Sequence, residues 1–173
     1  MYERLSWPDV ADIYRGEREQ IRTLLGAAQT DDHTVERTPV PACPGWDVNA
    51  LTAHLAGVPA ALLARSYPDG DSDAWIAAQL ADRADRTITQ NLDEWDQVGP
   101  DYDRLLLKNE PAWGAVAYDA VVHEHDLREA LGQPGNRSGR AVDYVLDRTL
   151  TQLDHRATEH QVSVRVENGE AAW

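Results

Sequence analysis

The sequence has 173 residues and a single cysteine, Cys43, so neither an internal disulfide nor a zinc cluster built on cysteines can form. This scarcity is typical of a reducing compartment and predicts a cytoplasmic protein. A secretory signal is also lacking, because the N-terminus has no basic segment followed by an apolar core. The most apolar stretch, residues 51–64, is too short to span a bilayer and is interrupted by His54 and Pro59.

Positive charge is scarce as well. Lys and Arg total 16 against 30 Asp and Glu, which gives a formal net charge of −14 at pH 7. No run of basic residues interrupts this excess, and such a surface repels nucleic-acid phosphates and anionic lipids. We therefore expect a protein that binds neither nucleic acid nor membrane. Its 42% hydrophobic and 27% charged residues are ordinary for a chain with one main globular domain.

Helical periodicity of apolar residues runs through the first third of the chain. Ser6 and Asp9 form a capping-box-like start for a first helix over residues 7–28. A proline-rich loop follows, and Asp47 is then a good N-cap for a second helix that ends near Arg65. The pattern predicts two long amphipathic helices joined by a stiff, shaped loop.

The middle of the chain predicts two further helices. A third helix is expected from an N-cap at Ser72 to Gly99–Pro100, followed by a short helical turn over residues 102–107. A fourth is expected from Glu110–Pro111 to Gly132. The side chains expected to face inward from these two helices are Trp75, Ala78, Ile88, Leu92, Trp95, Val116, Asp119, Ala120, His123, Leu127 and Ala130.

The C-terminal part predicts an extra helix and the start of a β-hairpin. Ser138 opens a fifth helix, and Val162, Val164 and Val166 then alternate with polar residues before the turn signal Asn168–Gly169. The inward stripe expected on the fifth helix is Val142, Val145, Leu146, Thr149, Leu150 and Leu153. We interpret the whole as a mainly α protein, a four-helix bundle over residues 1–137 with a C-terminal helix and strand over 138–173.

Ionisable residues lie on the predicted buried stripes, where an unpaired charge is costly. Asp119, His123 and Asp126 are spaced by four and three residues, so their side chains project along one face of the fourth helix. His54 faces inward from the second helix. A divalent metal ion explains this pattern, because bundles build metal sites from inward ligands on neighbouring helices. An ion pair on the helix surface or a histidine satisfied within the core would give the same spacing.

Two stretches carry a resemblance to a known family. Residues 41–57 read PACPGWDVNALTAHLAG, and residues 119–132 read DAVVHEHDLREALG. In this order they resemble the mycothiol-dependent maleylpyruvate isomerase family, within the wider DinB-like superfamily, over residues 5–160 approximately. The resemblance implies a DinB-like four-helix bundle with one divalent ion, usually zinc, with nickel, iron and manganese as other candidates.

The resemblance also implies the ligands and a cofactor. The positions that match the ligands of the family are His54, Asp119 and His123, with Asp119 where the isomerases have Glu. Mycothiol, a low-molecular-weight thiol, is the implied cosubstrate, and a sterol-carrier-like C-terminal domain is the implied neighbour, of which residues 138–173 would be the start. Helix geometry alone would also permit His54, His123 and Asp126 as ligands, with Asp126 otherwise a partner that orients a ligand histidine.

Other polar residues receive more ordinary interpretations. Glu17 lies on the apolar stripe of the first helix and could hydrogen-bond into the site, although an edge position reaching solvent is favoured. Cys43 is interpreted as a structural element of its turn, and Trp46 as packing that loop onto the bundle. His125 falls on the face opposite His123. The remaining histidines, His33, His155 and His160, are assigned to the surface.

Three functions fit such a site, and the residues leave all three open. Two imidazoles and one carboxylate leave an open position on a metal, which favours a thiol-dependent metalloenzyme of the isomerase or S-transferase type acting on a small molecule. A metal-binding or structural bundle that acts through dimerisation or partners is the second. A metal-dependent hydrolase is the third.

Overall fold

The computed structural model describes residues 5–28, 34–108 and 113–163, and six α-helices account for most of this part of the chain. Their bounds are α1 Trp7–Ala28, α2 Val48–Leu63, α3 Ser72–Ala81, α4 Ile88–Leu106, α5 Gly114–Ala130 and α6 Arg140–Glu159, with one 3-10 turn, η1, at Val35–Arg37. Among these described helices, none combines the length and the apolar character needed to cross a membrane.

Four of the helices form a bundle. Helix α1 packs against α4 and α5, and α2 packs against the same two, so α1 and α2 occupy opposite corners. Helix α3 packs on α2, whereas α6 packs on α5 and makes a smaller contact with α1. The mainly α bundle with an extra C-terminal helix is therefore confirmed.

An aromatic cluster fills the centre of the bundle. Tyr14 of α1 lies between Trp95 and Tyr102 of α4, with ring centroids 6.2 and 5.4 Å away. The Trp95 indole N–H donates a hydrogen bond to the Tyr14 hydroxyl at 2.8 Å, and the Tyr102 hydroxyl donates to the Trp113 carbonyl at 3.0 Å. Burial of these polar atoms is thus compensated, as a dry core requires.

The first two helices begin as predicted. The Ser6 amide and hydroxyl both donate to the Asp9 carboxylate, at 3.0 and 2.7 Å, and the Asp9 amide approaches the Ser6 hydroxyl at 3.4 Å. The Asp47 side chain accepts a hydrogen bond from the Ala50 amide at 2.8 Å. Both caps satisfy amides that the first turn of a helix leaves unpaired.

The prediction of one long third helix was wrong. The chain breaks after Ala81, and α4 starts again with a capping box in which Thr87 and Gln90 exchange side-chain to backbone hydrogen bonds of 3.2 and 2.9 Å. Asp71, rather than Ser72, caps α3 through the Ala74 amide. The expected inward position of Ala78 is exposed, because α3 lies on the outside of α2.

The predicted stop at Gly99–Pro100 was also wrong. Helix α4 continues through both residues and includes the short turn expected at 102–107 almost entirely. Pro100 lies on the exposed face of the helix, where its missing N–H is tolerated, and Gly99 is buried against α1. The packing of α4 in the bundle therefore outweighs the helix-breaking preference of the pair.

The C-terminal prediction is corrected in part. Tyr144 anchors α6 by donating a hydrogen bond to the Gly114 carbonyl at 2.7 Å, but Leu146 and Leu150 of the expected inward stripe are 47% and 37% exposed. The predicted strand and hairpin fall mainly on residues 164–173, which lie outside the described residues, as does the predicted start at Glu110–Pro111. The described residues 162–163 are not in a strand.

A buried ion pair joins α1 to α4 beside Gly99. One Arg18 nitrogen, Nη2, lies 3.1 and 3.0 Å from the two oxygens of Asp103, and the Arg18 side chain is 7% exposed. A Cβ atom on Gly99 would lie only 1.3 Å from Arg18 Nη1. The absence of a side chain at residue 99 is therefore what lets this guanidinium reach its carboxylate.

We predict that Gly99→Ala lowers the free energy of unfolding by about 2–4 kcal/mol, because it displaces Arg18 and leaves Asp103 without that partner. Gly16→Ala in α1 is the matched control, since a Cβ there meets nothing within 4 Å and alanine favours the helix by up to about 1 kcal/mol. Urea unfolding of the two variants measures both changes, and equal stabilities would contradict the packing explanation.

Candidate metal centre

A tight loop before α2 prepares the site. Two backbone hydrogen bonds of 3.0 Å close the loop, from Val40 to Trp46 and from Val48 to Thr38, and Gly45 adopts a φ of +88° at its turn. The Trp46 ring lies 5.1 Å from the His54 ring, between centroids, and packs on the core. The prediction that Trp46 fastens the loop to the bundle is confirmed.

Three predicted ligands come together between α2 and α5. His54 Nε2 donates to Asp119 Oδ2 at 2.8 Å, and His123 Nε2 lies 3.3 Å from Asp119 Oδ1. The centroids of the two imidazole rings are 5.2 Å apart, and the ring planes are perpendicular. The His54 and His123 side chains are 6% and 13% exposed, whereas Asp119 is 34% exposed, so the cluster is buried on the histidine side and opens towards solvent at the carboxylate.

Asp126 lies on the other side of the His123 ring. His123 Nδ1 donates to Asp126 Oδ2 at 2.8 Å, which fixes the orientation of the imidazole. The Cys43 thiol from the loop donates to the same oxygen, with Sγ 3.8 Å away. One hydrogen-bonded chain of side chains therefore runs from Cys43 through Asp126, His123 and Asp119 to His54.

The ionisable side chains of this hydrogen-bonded chain shift the pKa values of Asp119, His123 and Cys43. Burial alone would raise the pKa of Asp119, but hydrogen bonds from His123 and His54 lower it below its ordinary value. Burial would lower the pKa of His123, yet its hydrogen bonds to Asp119 and Asp126 raise it to about 9. Burial and the neighbouring Asp126 carboxylate raise the pKa of Cys43 to about 11, so its sulfur is a thiol at neutral pH.

The distances support one of the two ligand sets that the sequence permitted and not the other. Among the described residues, two groups of three offer ligand atoms that all lie within 4.8 Å of one another, namely His54, Asp119 and His123, and Cys43, His123 and Asp126. The alternative set of His54, His123 and Asp126 is not one of them. Asp126 faces Nδ1 of His123, away from the nitrogen that lies beside Asp119.

Glu17 lies elsewhere, and its interpretation as a solvent-reaching edge residue was wrong. Its side chain is only 1% exposed, and it accepts a hydrogen bond from Gln20 at 3.3 Å rather than contacting the predicted ligands. It lies beside Glu124 of α5, which is fully buried and accepts from Arg128 at 2.6 Å. The burial of Glu124 was not predicted, although its spacing from Val121 and Leu127 places it on the buried face.

The other histidines lie away from the cluster. His125 is 32% exposed, with Nδ1 3.8 Å from a Glu124 oxygen, and His155 is 75% exposed beside Glu159. His160 is exposed at the end of α6. These positions agree with the prediction, whereas His33 lies outside the described residues.

Comparison of the chain with protein-family models, with curated proteins and with solved structures finds no match. The resemblance to the isomerase family therefore remains a prediction.

We predict that Glu17→Gln stabilises the protein above pH 7 and not at pH 5. Burial, followed by the nearby Glu124, raises the pKa of Glu17 from 4.5 to about 7, so the folded chain holds a proton that the unfolded chain has lost. The stability associated with protonated Glu17 is complete below pH 4.5 and is lost as pH rises through about 7.

At pH 8 the free energy of unfolding is lower by about 3 kcal/mol than it is at low pH because of this group. Glutamine removes that loss because its amide does not ionise. Urea unfolding at pH 5 and pH 8 measures the difference, with the exposed Glu19→Gln on the same helix as the control. If the Glu17→Gln chain lost as much stability as the native chain between pH 5 and pH 8, the pH dependence would not come from Glu17.

Proposed function

We propose that this protein is a metal-dependent enzyme that holds one divalent ion through His54, Asp119 and His123 and acts on a small molecule together with a low-molecular-weight thiol. The observation that supports it is the convergence of these three side chains, from two helices, on one point at the edge of the bundle core.

The spacing of the donor atoms suits zinc. In a tetrahedral site with bonds of about 2.0–2.2 Å to nitrogen and oxygen, neighbouring donors lie roughly 3.3–3.6 Å apart. The two distances from Asp119 oxygens to imidazole nitrogens are 2.8 and 3.3 Å, and the three ligand atoms all lie within 4.8 Å of one another, so movements of about 1 Å would accommodate an ion. Two imidazoles and a carboxylate are also a donor set that zinc, iron and manganese share.

The surroundings favour a reactive site over a purely structural one. Three protein ligands leave an open coordination position, which is the pattern of catalytic sites. Asp119 is the most exposed of the three ligands, so a small molecule would approach from its side. Asp126 holds the His123 ring from behind, and Trp46 packs beside His54, which keeps both imidazoles in a fixed orientation.

An ion bound there would supply a thiolate at neutral pH by displacing the proton of a coordinated thiol. The choice of a thiol follows from the resemblance to the mycothiol-dependent isomerases. The protein's own Cys43 is unsuited to that role, since its pKa lies near 11 and its proton is held by Asp126. The nucleophile is therefore expected to come from a diffusible thiol.

We predict that His54→Ala and His123→Ala each weaken zinc binding by roughly 100-fold or more, because each removes one of three ligands. The measurement is a competition titration with a chromogenic chelator, made in a Cys43→Ser chain so that no protein thiol contributes. His155→Ala is the matched control, being an exposed histidine on α6. Asp119→Glu should retain zinc, whereas Asp119→Ala should lose it. Undiminished zinc affinity in both histidine variants would remove the proposed site.

We also predict that mycothiol changes the spectrum of the cobalt-substituted Cys43→Ser chain. This chain contains no sulfur other than its methionine, so a new near-ultraviolet sulfur-to-cobalt charge-transfer band would report coordination of the added thiol. The symmetric disulfide of the same thiol is the control, because it has no ionisable S–H. Tight cobalt binding with no response to thiol would favour a metal-binding module without thiol chemistry.

A further inference from the structure

We propose that Cys43, His123 and Asp126 form a second metal-ion site, which takes a thiophilic ion such as Zn²⁺ or Cd²⁺. These residues are the second group whose ligand atoms lie within 4.8 Å of one another. The site lies beside the first one, shares His123 with it and does not require the proposed thiol chemistry.

The donor atoms are already close to a coordination geometry. Asp126 Oδ2 lies 2.8 Å from His123 Nδ1 and 3.8 Å from Cys43 Sγ. Neighbouring donors on a tetrahedral zinc, with a metal–sulfur bond of about 2.3 Å, lie roughly 3.3–3.6 Å apart. All three ligand atoms lie within 4.8 Å of one another, so movements of about 1 Å would admit an ion, and sulfur, nitrogen and oxygen together are donors typical of zinc.

The backbone that carries Cys43 is fixed independently of its side chain. The Cys43 amide donates to the Val40 carbonyl, and its own carbonyl accepts from the Trp46 amide, both at 3.0 Å. An isolated bridge between Pro39 and Asp47 closes the base of the loop. The loop therefore presents the sulfur to α5 with little freedom to withdraw, so little ordering is needed when an ion binds.

The two sites share the His123 ring but use different atoms of it. Nε2 faces Asp119 in the first set, and Nδ1 faces Asp126 in the second. Cys43 belongs only to the second set, and His54 and Asp119 belong only to the first. Substitutions can therefore remove either set while leaving the other three-ligand group intact.

The test uses the fact that Cys43 is the only cysteine, so alkylation of the full chain reports on this sulfur alone. We expect Cd²⁺ to slow the reaction of Cys43 with iodoacetamide roughly tenfold or more, because a metal-bound sulfur is a poorer nucleophile. Mg²⁺, which prefers oxygen ligands, should leave the rate unchanged. Asp126→Asn should restore most of the reactivity in the presence of Cd²⁺.

A Cd²⁺ ion bound only by His54, Asp119 and His123 could also slow the alkylation of Cys43, so a second experiment must distinguish the two sites. In a His54→Ala/Asp119→Ala chain, protection by Cd²⁺ should persist, and added Co²⁺ should give a sulfur-to-cobalt charge-transfer band that Cys43→Ser abolishes. The same band should be seen in the otherwise native chain without added thiol, which covers the case in which the double variant does not fold.

The outcomes are distinct from those of the proposed function. Absence of both the protection and the band in the native chain would overturn the second site while leaving the first untouched. Protection that disappears in a folded His54→Ala/Asp119→Ala chain would also overturn it, since the ion would then belong to the first set alone. Failure of the Cys43→Ser chain to bind zinc would instead contradict the proposed function.

Discussion

The Asp119 carboxylate, which lies between two imidazoles, is the interaction on which the site depends. This residue of α5 accepts a hydrogen bond from His54 of α2 and forms an ion pair with His123 one turn along its own helix, so it links α5 to α2. A buried carboxylate or imidazole without a partner would cost several kcal/mol, and mutual hydrogen bonding offsets that cost. The same contacts hold three groups that could bind a metal ion within 4.8 Å of one another.

Polar groups inside this bundle are arranged in separate clusters, each of which pairs part of its buried charge. Arg18 and Asp103 join α1 to α4, and Glu17 and Glu124 meet between α1 and α5 beside Arg128. These clusters differ in charge balance. Arg18 and Asp103 form an ion pair, whereas the two glutamates share one nearby arginine. Burial, followed by the repulsion from Glu124, therefore raises the pKa of Glu17. The cluster of acidic side chains is therefore accommodated inside the fold by one ion pair and one retained proton.

Local signals in the sequence were sufficient for the fold class and for the Asp119–His123 pair, whereas the choice of His54 with that pair followed from the resemblance. The caps at Ser6 and Asp47 act within four residues, and Asp119 and His123 share a helix, so their proximity follows from helical spacing alone. Features decided by tertiary packing escaped prediction. Helix α4 continues through Gly99–Pro100 where Gly99 packs against Arg18 of α1, and Glu124 is buried beside Glu17 where α5 packs against α1. Neither partner is near in sequence.

The placement of Cys43 illustrates the same limit and also suggests its use. A cysteine between two prolines reads as a structural turn residue, and the backbone hydrogen bonds of the loop agree with that interpretation. Only the fold shows that the turn points its sulfur at Asp126, the residue that orients His123. A side chain that merely stabilised the turn would have no need of an acidic partner on another helix. The contact therefore connects the loop to the Asp126–His123 pair of α5, so a change at Asp126 affects the hydrogen bonds of both the thiol and the imidazole.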